Sequence, residues 1–179
     1  MNYTDILDFW FDTETEGHWF SQSDAFDQSL QIKFGCILKQ ASRGELWHWR
    51  QHAEGRLAEI IVLDQFSRNI YRHTAQAFAQ DGMALILAQE AIRLKLDQHL
   101  AAQQRRFLYL PFMHSESQKI HQYAIGLFKD LGDAVTLDFE IKHKVIIDRF
   151  GRYPHRNNIL GRHSTAEELH FLTQPNSAF

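Results

Sequence analysis

Apolar residues recur along the chain at intervals of three and four, the period of a helix with one buried face, and they almost nowhere alternate as a half-buried strand requires. Residues 3–10 predict a short helix. After a loop over residues 11–22, a longer helix begins near Ser23, places Phe26, Leu30, Phe34, Ile37, Leu38 and Ala41 on one face, and stops at Ser42-Arg43-Gly44. An aromatic turn over residues 45–49 leads to a helix from Leu57 to about Tyr71. Residues 76–96 and 101–110 predict two more, the second ending before Pro111, because proline removes a helical hydrogen bond. Ser115 and Gln118 predict a capping box for a helix running to Leu131, where Gly132 is the stop. Residues 134–150 predict a helix ending at Gly151, and Ser164 with Glu167 a second capping box for a last helix to about Leu172, followed by a polar tail.

Eight or nine helices with short connections make antiparallel neighbours. The expectation is a single all-α domain over residues 1–179, with helix hairpins stacked as a tetratricopeptide-like array. The 34-residue tetratricopeptide consensus is not visible, and a compact, non-repeating bundle is the alternative architecture.

Composition narrows the function classes. With 179 residues, 44% of them hydrophobic and 13% aromatic, the chain can build a real core. Trp10, Trp19, Trp47, Trp49 and Cys36 are expected to help fill it. A net charge of −3 argues against a globally basic nucleic-acid binder, so no nucleic-acid partner is expected. The charge is polarised, however: residues 1–33 carry seven acids against Lys33, and residues 142–163 carry six bases against Asp148. A single cysteine allows no internal disulfide and suits a reducing compartment. The first residues lack the basic start and apolar stretch of a signal peptide, and no apolar run approaches the ~20 residues of a membrane helix. A cytoplasmic protein without a membrane partner is the expectation.

Three segments carry candidate chemistry. The first is Asp64-Gln-Phe-Ser-Arg-Asn-Ile-Tyr-Arg72, where Leu57, Ile61, Asp64, Arg68 and Arg72 share one helical stripe. Its apolar start buries Asp64, and Arg68, four residues on, can pair with it. One aspartate cannot satisfy both Arg68 and Arg72, so these two, with Asn69 beside them, are candidate ligand contacts. The second is Tyr109-Leu-Pro-Phe-Met-His-Ser-Glu-Ser117, which sets His114 and Glu116 before a helix N-terminus, a feature that favours anions. A capped helix start explains the same residues without a ligand. The third is residues 149–168, holding Arg149, Arg152, His155, Arg156, Asn157 and Arg162 on a loop punctuated by Gly151, Pro154 and Gly161. Guanidinium groups suit carboxylate and phosphate. His143 lies on an apolar stripe with Phe139, Ile146 and Phe150, a pattern typical of a core histidine. His48 and His52 stand four apart but have no matching second pair, and no phosphate, dinucleotide or nucleophile-elbow fingerprint occurs, so no metal or cofactor is expected.

Asp64-Gln-Phe-Ser-Arg-Asn69, Leu110-Pro-Phe-Met-His-Ser-Glu116, Arg149-Phe-Gly-Arg-Tyr-Pro-His-Arg-Asn157, Leu160-Gly-Arg162 and Ser164-Thr-Ala-Glu-Glu168 resemble the motifs of a mainly bacterial family catalogued as a domain of unknown function. The resemblance spans nearly the whole chain, from Leu7-Asp-Phe-Trp-Phe11 to Phe179. It implies the tetratricopeptide-like helical fold and brings no catalytic residue with it. Ser67 and Ala166 stand where that family often has proline, and His163 where it commonly has an acid.

The segments suggest one site for an anionic small molecule, a carboxylate or a phosphate, lined by the arginines. An enzyme at the same site would use His114, His143 or His155 as acid or base, oriented by Glu116 or Asp64. An adaptor holding acidic peptides in a helical groove is a third reading. Internal pairing of the arginines with Asp64, Glu116, Asp138, Asp148, Glu167 and Glu168 is the rival to all three. A homo-oligomer is compatible with each.

Overall fold

The computed structural model describes residues 1–175, 177 and 178. Asn176 and Phe179, the latter the end of the predicted domain and of the resemblance, lie outside the described residues. The regular elements among the described residues are all helices, with no strand. The α-helices are α1 (Tyr3–Trp10), α2 (Thr13–Glu16), α3 (Asp24–Ala41), α4 (Ala53–Ile61), α5 (Ser67–Ile70), α6 (Asp81–Arg93), α7 (Ala102–Met113), α8 (Gln118–Leu131), α9 (Ala134–Phe150) and α10 (Ala166–Phe171). Single-turn 3-10 helices fill several of the connections.

Helix α4 is the hub. It packs against α1, α6 and α7, and residues 57, 58, 60 and 61 are fully buried. Its first turn comes so close to the preceding aromatic turn that a Cβ on Gly55 would sit 2.0 Å from the Trp49 carbonyl oxygen, which makes glycine obligatory there. The core is unusually aromatic: the Trp10 ring meets Phe66 and Phe107 at centroid separations of 5.5 and 5.6 Å. In the C-terminal half, α7 packs on α8 and α8 on α9, a succession compatible with the expected hairpin array. Gly132 and Gly151 end α8 and α9 in left-handed conformation (φ +77° and +68°), as their positions in the sequence imply.

Several local expectations are corrected. The helix predicted from Leu57 begins earlier, at Ala53, and is interrupted by a turn of π-helix over Val62–Phe66, all of it buried. The helix predicted over 76–96 is a 3-10 turn at Ala75–Phe78 followed by α6, so Asp81 stands at a helix start. Helix α7 runs through Pro111 to Met113, because proline at this point removes an N–H from only the last turn. Ser115 does not cap α8. The N-cap is Ser117, with no side-chain hydrogen bond, and Glu116 is directed elsewhere. The last capping box forms one residue on, with Thr165 and Glu168. Cys36 and Trp47 are exposed rather than in the core: the buried face of α3 runs through Phe34, Ile37 and Leu38 and turns Cys36 outward.

Candidate functional site

The π turn delivers Asp64 into the protein interior with no exposed surface. π-helical turns are uncommon and recur at functional sites, since the extra residue re-aims a side chain. Asp64 Oδ1 accepts from His114 Nδ1 at 2.7 Å and lies 3.0 Å from Arg68 Nη1, and Oδ2 accepts from Gln65 Nε2 at 2.5 Å. Burial alone pushes the Asp64 carboxyl up, but the positive charge of Arg68 and the hydrogen bonds from His114 and Gln65 outweigh it and hold the group well below the ordinary carboxylate range. Burial first, and Arg68 second, push His114 below 6.5, against the pull of Asp64. Near neutral pH the pair is therefore an ionised aspartate and a neutral imidazole. Since the carboxylate only accepts, Nδ1 carries the proton and Nε2 the lone pair. Among the described residues no group lies within hydrogen-bond distance of Nε2.

His114 is held in place by its neighbours in sequence. Tyr153 Oη donates to the Met113 carbonyl at 2.5 Å, and His121 Nε2 donates to the Ser115 carbonyl at 2.8 Å. Glu116 accepts from the Tyr153 N–H at 2.7 Å and from both Arg162 terminal nitrogens at 2.6 and 2.9 Å. Burial raises the Glu116 carboxyl, and Arg162 with the Tyr153 amide lowers it by more. His121 is itself oriented by Glu140, 2.7 Å from its Nδ1, in a pair without exposed surface. The Ser115 carbonyl only accepts, so His121 Nε2 is the donor there, and burial raises the Glu140 carboxyl.

A cleft of about 320 Å³ opens beside this segment, between the 3-10 turn at residues 75–78, the first turn of α6, the end of α7 and the Pro154–Arg156 turn. Its polar lining is Asp81, His114, Ser115, Glu116 and Arg156, and its apolar lining includes Phe78, Leu85, Pro111 and Leu160. Arg68 grips Asp81 with two hydrogen bonds of 2.9 and 3.0 Å. Arg156, 6% exposed, lies between the rings of Phe78 and Tyr153, each 4.5 Å from its guanidinium carbon. It makes one long hydrogen bond, Nη1 to Asp81 at 3.2 Å, and its buried Nε has no acceptor among the described residues. Burial and the nearby Arg68 charge lower its proton affinity, though a guanidinium stays charged at neutral pH.

The three predicted segments thus meet, but most of their arginines are already occupied. Arg72 is bound to both Asp27 oxygens and to Asn69, Arg149 to Glu167, Arg152 to both Glu168 oxygens and the His163 carbonyl, and Arg162 to Glu116 and Asn157. Asn157 passes a further hydrogen bond to Ser164, and Asn69 one to the Gln65 carbonyl. Of the six arginines, Arg156 alone lines the cleft. The picture of six arginines around a pocket is therefore corrected to one, with Asp64 and Asp81 taking up Arg68, Asp27 Arg72, Glu167 Arg149, Glu168 Arg152 and Glu116 Arg162. Burial holds His143 at about 3 and His155 at about 4. Both pack against the Tyr153 ring, at centroid separations of 5.7 and 5.5 Å, and neither lines the cleft.

Asp81, Glu140, His121 and Tyr153 escaped sequence reasoning. Asp81 falls inside the helix predicted over 76–96 but stands at the start of α6, and the His121–Glu140 pair joins two helices whose register no spacing rule supplies.

A family model described as a bacterial protein of unknown function (DUF924) matches residues 6–176. Among solved structures, the protein of unknown function ATU0120 from Agrobacterium tumefaciens is similar, with 40% identity and a TM-score of 0.90 over 95% of this chain and 96% of that one. No curated protein matches the chain.

Proposed function

The chain belongs to the bacterial DUF924 family, whose description assigns no activity, and from the cleft itself we propose that it binds a small molecule bearing a carboxylate or phosphate group, anchored by Arg156. One observation carries this reading: a guanidinium that is 6% exposed, stacked between two rings and lining a cleft makes one hydrogen bond, of 3.2 Å. Buried donors are ordinarily satisfied, and an oxyanion in the cleft is the natural acceptor for this one. The dimensions favour a small molecule over an acidic peptide, since about 320 Å³ lies at the lower end of ligand pockets. The first turn of α6 adds amide donors and a positive dipole end to the same wall.

Thermal unfolding with inorganic phosphate and with phenylacetate tests the reading. The wild-type chain is expected to gain a saturable rise in Tm with at least one of them. Arg156→Gln should lose it while keeping the wild-type circular dichroism spectrum, and Arg152→Gln should keep it. Equal rises in the wild type and Arg156→Gln would overturn the reading.

A further inference from the structure

The cleft's charges are balanced before any ligand arrives. Asp64, Asp81 and Glu116 are matched by Arg68, Arg156 and Arg162, each carboxylate lying within 3.2 Å of a guanidinium nitrogen. Among the described residues, the one uncommitted basic atom at the cleft is His114 Nε2, which holds a lone pair because Nδ1 is committed to Asp64.

An anion placed against Arg156 therefore leaves the site with one uncompensated negative charge in a largely desolvated setting, where such a charge is costly. It also adds a negative charge beside His114 that opposes the burial and the Arg68 charge now holding the imidazole neutral. A proton on Nε2 restores balance for a singly charged ligand and creates a second donor toward it. A dianion would leave the site negative by one even after that proton. The apolar lining of Phe78, Leu85, Pro111 and Leu160 gives the remainder of such a ligand a non-polar wall.

We propose, on the reading of Arg156 as anion anchor given above, that the cleft takes a small monocarboxylate with an apolar body, and takes it up together with one proton on His114 Nε2. The other groups around His114 do not compete for that proton. Asp64 and Arg68 approach from the π turn and α5, Asp81 from α6, and all three are locked in ion pairs. His143 of α9 and His155 are held neutral by burial, and the Tyr153 hydroxyl is pushed up by it. The His121–Glu140 pair of α8 and α9 has no exposed surface.

Calorimetric titration of the full chain with phenylacetate, in Tris and in PIPES at one pH near neutrality, tests this. The buffer dependence of the enthalpy is expected to report uptake of about half a proton or more per bound molecule. Affinity is expected to weaken by up to about tenfold per unit as pH rises above neutrality. His114→Gln, which keeps a side-chain donor but cannot take up a proton, should bind without buffer or pH dependence. Phenylacetate binding with no proton uptake would overturn the inference and leave the Arg156 anchor standing. Binding of inorganic phosphate but not of phenylacetate or hexanoate would do the same. Binding of none of these anions by the folded wild-type chain would overturn the anchor itself.

Discussion

Arg152 and Arg156 lie four residues apart on one loop, and the fold treats them in opposite ways. Arg152 stands near the surface with both Glu168 oxygens and the His163 carbonyl in its grasp. Arg156 is buried between two aromatic rings with one long hydrogen bond and an unsatisfied Nε. The first belongs to a belt of ion pairs, with Arg149–Glu167 and Arg162–Glu116, that closes the C-terminal loop onto the bundle. The second belongs to the interior cluster of Asp64, Arg68, Asp81 and His114. On the reading proposed above, burial at the cleft with donors unmet, not arginine number, is what marks out Arg156.

The largest difference between the interior cluster and the surface belt is expected at Asp64. Asp64→Ala strips a buried carboxylate from both Arg68 and His114, and should cost ~3–5 kcal/mol in a urea unfolding curve. A loss below ~1 kcal/mol would show that the interior cluster is no more demanding than the surface belt.

Acid should also weaken the interior before the belt. His143 and His155 have folded values depressed to about 3 and about 4 from 6.5, so the unfolded chain binds protons the fold refuses. Their contribution is fully present above 6.5 and is lost as pH falls below it, at ~1.4 kcal/mol per pH unit for each. Unfolding curves from pH 7 down to 4.5 should slope downward accordingly, and a flat profile would mean that neither ring is buried as neutral imidazole.

Smaller effects are expected in the belt. Arg162→Ala leaves Glu116 with the Tyr153 amide alone and should cost ~1–3 kcal/mol, the range for hydrogen bonds to charged groups and their unpaired partners. Arg149→Ala removes a pair whose two side chains are 43% and 62% exposed and should move Tm hardly at all, within the ~0–1 kcal/mol of surface ion pairs. A larger loss at Arg149 than at Arg162 would invert the ranking of the two.

The helical fold was legible because helix caps and apolar period act locally. Ser23, Gly132 and Gly151 punctuate the chain where the helices do start or stop. The burial of Asp64 and its pairing with Arg68 were legible for the same reason, being an i,i+4 relation on an apolar stripe. The π turn was not, because an inserted residue leaves the letters unchanged and shifts only the hydrogen-bond ladder. Internal pairing with Glu116, Glu167 and Glu168 was among the readings of the sequence, but the partners of Arg72 and Arg156 were not. Arg72 finds its acid at Asp27 and Arg156 at Asp81, separations in sequence that only tertiary packing can close. The surplus of positive charge read from residues 142–163 is met by Asp81, Glu116, Asp138, Glu167 and Glu168 outside that stretch.

Arg156, among all the loop arginines, is the proposed anchor of an oxyanion. The most direct test of that role is the dissociation constant for phenylacetate measured by calorimetry in the wild type, Arg156→Gln and Arg152→Gln. Loss of one charge-assisted contact at Arg156 should weaken binding by about tenfold to a hundredfold, and Arg152→Gln should leave it within about twofold. Equal affinities in the wild type and Arg156→Gln, or an equal loss in the two variants, would contradict the account.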